Sequence, residues 1–292
     1  MKLVAHSADL PDPMTLRIGC RLEYQMDGEA HAIALVEPHS SVQGDVIAEH
    51  WEREPLPLRF EDLYGNVCRR FELTPETPSF AYDATVRISS QPEAMPGAAD
   101  VQHRIEDLPS SLLHWLLPSR LCASDLLADR AWEMFGETPR GPARVAAICD
   151  WIHDNVEYGV ASVQTTTAAE VLERKGGVCR DFAHLGVTFC RALGIPARYV
   201  SGYLPDIGIP GPYPTMDFHA WFEVWLGENW WTYDARFNTP RIGRVPIGRG
   251  RDAIDIAMVT TYGTATLETM SVWADEVGKA SAMLFAGETR GG

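Results

Sequence analysis

Apolar and polar residues alternate along much of the first ninety positions. Thr15–Tyr24 sets Leu16, Ile18, Cys20, Leu22 and Tyr24 on one side, which predicts a half-buried strand. Ala32–Val36 is a short apolar run, and Ala81–Ser89 alternates again through Tyr82, Ala84, Val86 and Ile88. Leu56–Asp62 and Val67–Phe71, parted by the polar Tyr64-Gly65-Asn66, predict a hairpin. Short strands at this spacing predict a small antiparallel sandwich. Residues 90–109 carry Pro92, Pro96, Gly97 and Pro109 in a polar setting and read as a linker. The expected division is therefore an all-β domain over 1–95 and a second domain over 96–292.

Beyond the linker the period changes. Asp125–Phe135 gathers Leu126, Leu127, Ala131, Trp132 and Phe135 on one helical side. Pro142–Val156 does the same with Val145, Ile148, Cys149, Ile152 and Val156, and Pro142 suits a first turn. Thr167-Ala168-Ala169-Glu170 has capping-box form and opens a short helix that ends at Gly176-Gly177. A further helix starts near Cys179, carries Phe182, Leu185, Phe189 and Leu193, and stops at Gly194-Ile195-Pro196. From Ala197 the chain reads as strands. His219–Trp225 and Trp230–Asp234 predict a hairpin centred between Leu226 and Gly227, which sets His219 directly across from Asp234. One face then holds His219, Trp221, Glu223, Trp230, Thr232 and Asp234, above an apolar underside of Ala220, Phe222, Val224, Trp231, Tyr233 and Ala235.

Composition narrows the functional classes. A chain of 292 residues, 46% apolar and 22% charged, is long enough for one large domain or two ordinary ones. A net charge of −15 with no basic stripe argues against nucleic acid or an anionic membrane as partner. No apolar run reaches the ~18 residues of a membrane span. Met1–Asp9 lacks the apolar core of a secretory signal. The six cysteines are scattered without a CxxC pair, which predicts free thiols in a reducing compartment, the cytoplasm, rather than disulfides or a zinc module. No cofactor and no metal are expected. His31, His39 and His50 stand alone and read as surface or packing residues.

Three residues carry candidate chemistry. Cys179 lies where a glycine-loosened turn runs into a helix, so unpaired amides and the helix dipole favour its anionic form, with Arg180 next to it as a further source of positive charge. Gly176 and Gly177 would let the backbone turn sharply and a substrate approach closely. His219 and Asp234 follow on neighbouring strands, the order that a thiol nucleophile, its base and an orienting acid require. The backbone N–H of Cys179 is one candidate oxyanion donor, with Tyr158 as a possible second. His184 falls about 140° around the helix from Cys179, which excludes it as the base and leaves packing or supporting hydrogen bonds. The Pro/Gly-rich loop from Leu204 to Pro214 precedes His219 at the rim, and Tyr213, Trp221, Trp225 and Trp230 are candidate cleft residues.

At these positions the chain resembles the transglutaminase-like superfamily, specifically bacterial transglutaminase-like cysteine peptidases with an N-terminal β domain. The matching stretches are Gly177–His184, Gly194–Tyr203, His219–Val224 and Trp230–Arg236. The resemblance implies an α+β fold, a papain-like core of helices packed on an antiparallel sheet behind a small all-β sandwich. It also implies a Cys-His-Asp triad at Cys179, His219 and Asp234, acting on a peptide or protein amide. Hydrolysis is the expected outcome, because transamidation requires a thioester shielded from water. Transamidation, a non-catalytic peptide-binding cleft and a zinc site on the same three residues remain the alternatives.

Overall fold

A computed structural model describes residues 12–213 and 215–278. The N-terminal stretch Met1–Asp9 lies outside the described residues, as does Pro214 of the rim loop. The N-terminal region is all-β, as the alternation predicts. Strands β1 (Pro13–Ala34), β2 (Val46–Glu52), β3 (Leu58–Glu61), β4 (Val67–Leu73) and β5 (Ser79–Ser89) form one antiparallel sheet in the order β2-β5-β1-β4-β3. The segments predicted separately over 15–24 and 32–36 are one strand. β1 pairs with β5 through its first half and with β4 through Ala30–Ala34. The hairpin expected around Tyr64-Gly65-Asn66 forms, with Leu58 opposite Arg70 and Glu61 opposite Val67.

Among the described residues the rest of the chain builds four α-helices and a second sheet: α1 (Ala128–Phe135), α2 (Pro142–Asn155), β6 (Glu157–Tyr158), α3 (Ala168–Arg174), β7 (Gly176–Gly177), α4 (Cys179–Ala192), β8 (Ala197–Tyr203), β9 (His219–Leu226), β10 (Asn229–Tyr233), β11 (Val245–Gly250) and β12 (Val259–Glu276). The second sheet runs β10-β9-β8-β11 and is antiparallel throughout. β12 leaves it and pairs along the free edge of β1, Leu16 facing Glu276 and Ala34 facing Val259. The first sheet is thus built from both halves of the sequence. Its core also takes in Tyr203, Phe218, Val245 and Ile247 from the second half, and the Tyr203 hydroxyl donates to the Val36 carbonyl at 2.8 Å.

Local signals account for most of the helices. Thr167 and Glu170 close a full capping box on α3: Glu170 N–H donates to Thr167 Oγ1 at 3.3 Å and Thr167 N–H to Glu170 Oε2 at 2.7 Å. α1 is shorter than its pattern, so Leu126 precedes it and is 76% exposed, while Trp132 is 52% exposed under the Arg144 guanidinium. Ala131 and Phe135, four residues apart, are buried in the core, and Met134 packs partly against it.

Helix α4 is buried on nearly every side and lies across β9. Gly186 makes that approach possible, since a Cβ there would sit 2.4 Å from the Phe222 ring. Gly186→Ala is expected to destabilise the fold by about 1–3 kcal/mol through overpacking, read as a lower urea midpoint.

Candidate active site

The N-terminus of α4 is set by its surroundings rather than by a flexible turn. Gly176 and Gly177 are extended and pair in parallel with Glu157 and Tyr158. The sharp turn expected at these glycines is absent; a Cβ on Gly177 would meet the Asp181 carboxyl at 2.7 Å, so the missing side chain makes room for that group. Asp181 is fully buried and accepts from the Val178 N–H at 3.0 Å, fixing the helix start. Its other partners are Arg180, at 3.2 Å, and Arg174, at 3.5 Å. Arg180 also donates to Ser162 Oγ and the Val163 carbonyl, both at 2.8 Å. Its charge is therefore committed to Asp181 and the 162–163 loop, contrary to the expectation that it serves the thiol. Cys179 itself is the first residue of α4, so its N–H is among the amides without an acceptor inside the helix. It is partly exposed, whereas the other five cysteines are buried.

The β9–β10 hairpin brings the other two residues in. Its true centre is one residue later than predicted, between Gly227 and Glu228, with Leu226 facing Asn229 and Trp230 facing Trp225. The pairing therefore shifts by two residues, which preserves the face of every side chain. Asp234 lies beyond the end of β10 and meets His219 diagonally instead of head-on. His219 Nε2 and Asp234 Oδ2 are 2.7 Å apart, both residues nearly inaccessible. The Cys179 sulfur also acts on this ring, whose other nitrogen, Nδ1, lies 3.4 Å from Arg236 Nη1. Burial alone would lower the His219 pKa, but the Asp234 carboxylate and the Cys179 sulfur outweigh it and the net shift is upward. Burial would raise Asp234, but His219 and Arg244 hold its carboxyl well below the usual range.

Several residues that complete the site carried no sequence signal. Arg244 donates to Asp234 Oδ2 at 2.7 Å, pairs with Glu93 and lies 4.9 Å over the Trp221 ring. Glu93 belongs to the segment that reads only as a linker, and burial raises its pKa despite Arg244. Asp234 Oδ1 accepts the Arg236 N–H at 3.0 Å. Asp217, just before β9, lies close enough to His219 for the imidazole to affect it, although burial pushes its pKa up overall. Arg236 ends the stretch Trp230–Arg236, but its spacing did not distinguish it from any turn arginine.

The remaining candidates separate. Tyr158 stands beside the thiol: it pairs with Gly177, its ring is half-exposed, and burial together with the Cys179 sulfur raises its pKa. Trp221 is 1% exposed, stacks on His219, and with Arg244 and Glu93 lines a cavity of ≈ 460 Å³ that Cys179 does not reach. Trp230 packs with Trp225 and Trp115 at the far end of the hairpin, away from the triad, because Trp230 pairs with Trp225 near the turn. Tyr213 is 51% exposed in the rim loop, its hydroxyl donating to the Ile209 carbonyl at 3.0 Å. His184 is buried against Tyr199, and its Nε2 accepts the Ala253 N–H at 3.1 Å. Burial lowers its pKa to about 4, in keeping with a supporting role. Among the described residues no group of three His, Cys, Asp or Glu side chains is arranged to hold a metal ion.

A central helix on an antiparallel sheet, with a thiol at the helix start and an imidazole–carboxylate pair at the strand ends, defines an α+β core of the papain-like kind. The transglutaminase-like superfamily profile matches residues 130–235. An uncharacterized protein of Mycobacterium leprae, ML0607, is 36% identical over 255 residues, spanning 77% of this chain and 83% of that protein. A solved structure from Cytophaga hutchinsonii, provisionally assigned as a cysteine protease, is 32% identical with a TM-score of 0.77, covering 91% of this chain and 92% of its own. Human kyphoscoliosis peptidase is 27% identical over 128 residues, 41% of this chain and 19% of that protein. The chain belongs to the transglutaminase-like superfamily.

Proposed function

We propose that this protein is a cysteine-dependent amide acyl-transfer enzyme, working as a peptidase or amidohydrolase through Cys179, His219 and Asp234. One observation carries the reading: His219 is held at 2.7 Å by a buried carboxylate while its other face meets a thiol at a helix start. The sulfur attacks the amide carbonyl, and the Cys179 N–H, with Tyr158 as a second donor, stabilises the oxyanion. The C–N bond breaks as the imidazolium gives its proton to the leaving amine, and the acyl group stays on sulfur as a thioester. His219 then takes a proton from water, whose oxygen releases the acid. Partial exposure of Cys179 and Tyr158 supports water as the acceptor over an amine. Six free cysteines suit a reducing compartment such as the cytoplasm.

The test needs no substrate. Iodoacetamide near neutral pH is expected to label Cys179 selectively and fast, and His219→Ala is expected to slow that labelling to the rate of an ordinary thiol. Mass spectrometry of the digested protein locates the adduct. Equal, slow labelling of all six cysteines would refute the triad.

A further inference from the structure

Arg236 is the one site residue whose charge the triad leaves unexplained. Its main chain is fixed to the site through Asp234 Oδ1. Its guanidinium carbon lies 3.9 Å from the Tyr158 ring centroid and 4.5 Å from that of Phe237. Nη1 is 3.4 Å from His219 Nδ1. Arg174, Arg180, Arg198, Arg244, Arg249 and Arg251 each pair with an aspartate or glutamate. Among the described residues no carboxylate pairs with the guanidinium of Arg236. Aromatic rings take up the faces of a guanidinium and leave its N–H groups, which lie in its plane, without acceptors of comparable strength.

The position of this cation matters because Nδ1 is the nitrogen that must pass its proton to the leaving amine. The contact with Arg236 needs an unprotonated Nδ1. Once His219 carries the proton, both partners are donors and the contact gives way. The guanidinium is then available beside the leaving group.

We propose that Arg236 binds a carboxylate on the leaving-amine side of the scissile amide, so that the substrate is a peptide whose C-terminal amino acid, with its free α-carboxylate, is released. The proposal rests on the reading of Cys179 and His219 as nucleophile and acid. Bond lengths fit it: N–Cα of ≈ 1.46 Å and Cα–C of ≈ 1.52 Å put an α-carboxylate two bonds from the leaving nitrogen, within reach of a group lying against the same imidazole. Paired N–H donors of one guanidinium match the two oxygens of such a carboxylate. In the reaction the C–N bond breaks, the Nδ1 proton goes to nitrogen, and the amino acid departs with its carboxylate as the acyl group remains on Cys179.

The test uses the full chain and two alkylating probes of similar size, anionic iodoacetate and neutral iodoacetamide, each losing iodide as the S–C bond forms at Cys179. Arg236→Gln is expected to lower the ratio of iodoacetate to iodoacetamide labelling rates about tenfold or more, as for loss of a charge-assisted hydrogen bond, the ratio cancelling any effect on the thiol common to both probes. Arg236→Lys restores part of the difference. In a second arm, synthetic peptides with free C-terminal acids lose their last residue at least about tenfold faster than the same peptides as carboxamides, and Arg236→Gln removes that preference. An unchanged probe ratio in Arg236→Gln, or equal trimming of acids and carboxamides, overturns the proposal while fast iodoacetamide labelling leaves the triad standing. Slow, unselective labelling of the wild type refutes the triad, and this inference with it.

Discussion

Asp234→Asn is expected to lower kcat about 10⁴-fold while leaving the fold in place, the size of effect found when a triad carboxylate becomes an amide. Two causes act together. Asparagine can present its NH₂ to His219 and stabilise the wrong tautomer, and it no longer offsets the charge of the imidazolium. Burial, the largest influence on His219, would then act unopposed by the carboxylate, so the pKa of the ring falls. In the wild type that pKa is raised. The alkaline limb of the rate profile is therefore expected above the ordinary histidine value of about 6.5, and in Asp234→Asn below its wild-type position. Stability follows the same signs. The contribution of His219 is complete below about 6.5 and lost as pH rises through its folded value, whereas that of Asp234 is present above about 3.9 and lost as pH falls. Iodoacetamide labelling of Cys179 as a function of pH needs no substrate and is expected to rise in two steps, the second as His219 loses its proton; a variant whose second step does not move would contradict the arrangement.

The second large effect lies outside the triad. Glu223→Ala is expected to cost about 3–5 kcal/mol of stability, because it strands two largely buried arginines, whose side chains are 15% and 13% exposed. Glu223 Oε2 accepts from Arg198 Nε at 2.6 Å and Arg249 Nε at 3.1 Å. Arg249 continues to His39 Nδ1 at 2.9 Å and Ser41 Oγ at 2.8 Å, tying the second sheet to the N-terminal half. Burial would raise the Glu223 pKa, but the two guanidinium groups bring it down to about 2. Its stabilisation is therefore present above the usual glutamate value of about 4.3 and disappears as pH falls toward 2. His39, lowered to about 4 by burial and then by Arg249, adds a loss of the same sign as pH drops below about 6.5. Urea melts of wild type and Glu223→Ala between pH 7 and pH 2 measure this directly. A difference under about 1 kcal/mol at pH 7 would mean that the cluster is solvated and contributes little.

Periodicity made the helices and strands readable because it records which side of an element is apolar. It does not record which element covers that side. The strand of 259–276 therefore gave no hint that it would lie against β1, and only Val272 and Ala274 of it are buried. The hairpin shows the same division. Alternation fixed the shared face of His219 and Asp234, while the register depended on a turn placed one residue too early, and two residues of slip were harmless only because the side-chain period is two. Cys179 and His219 stood out as candidates because cysteine and histidine are scarce in this chain, and Asp234 only through its order and spacing after them. Arg244 and Glu93 did not stand out. Charged residues in a Pro/Gly-rich or polar stretch look solvent-facing, and only tertiary closure buries them against Asp234.

Pairing between β1 and β12 has a consequence for synthesis. Helices α1 to α4, the second sheet, Cys179, His219 and Asp234 all emerge from the ribosome before β12 does. Until that strand arrives, one flank of β1 offers unpaired main-chain groups to any neighbouring nascent chain. β12 is thus the guard of β1.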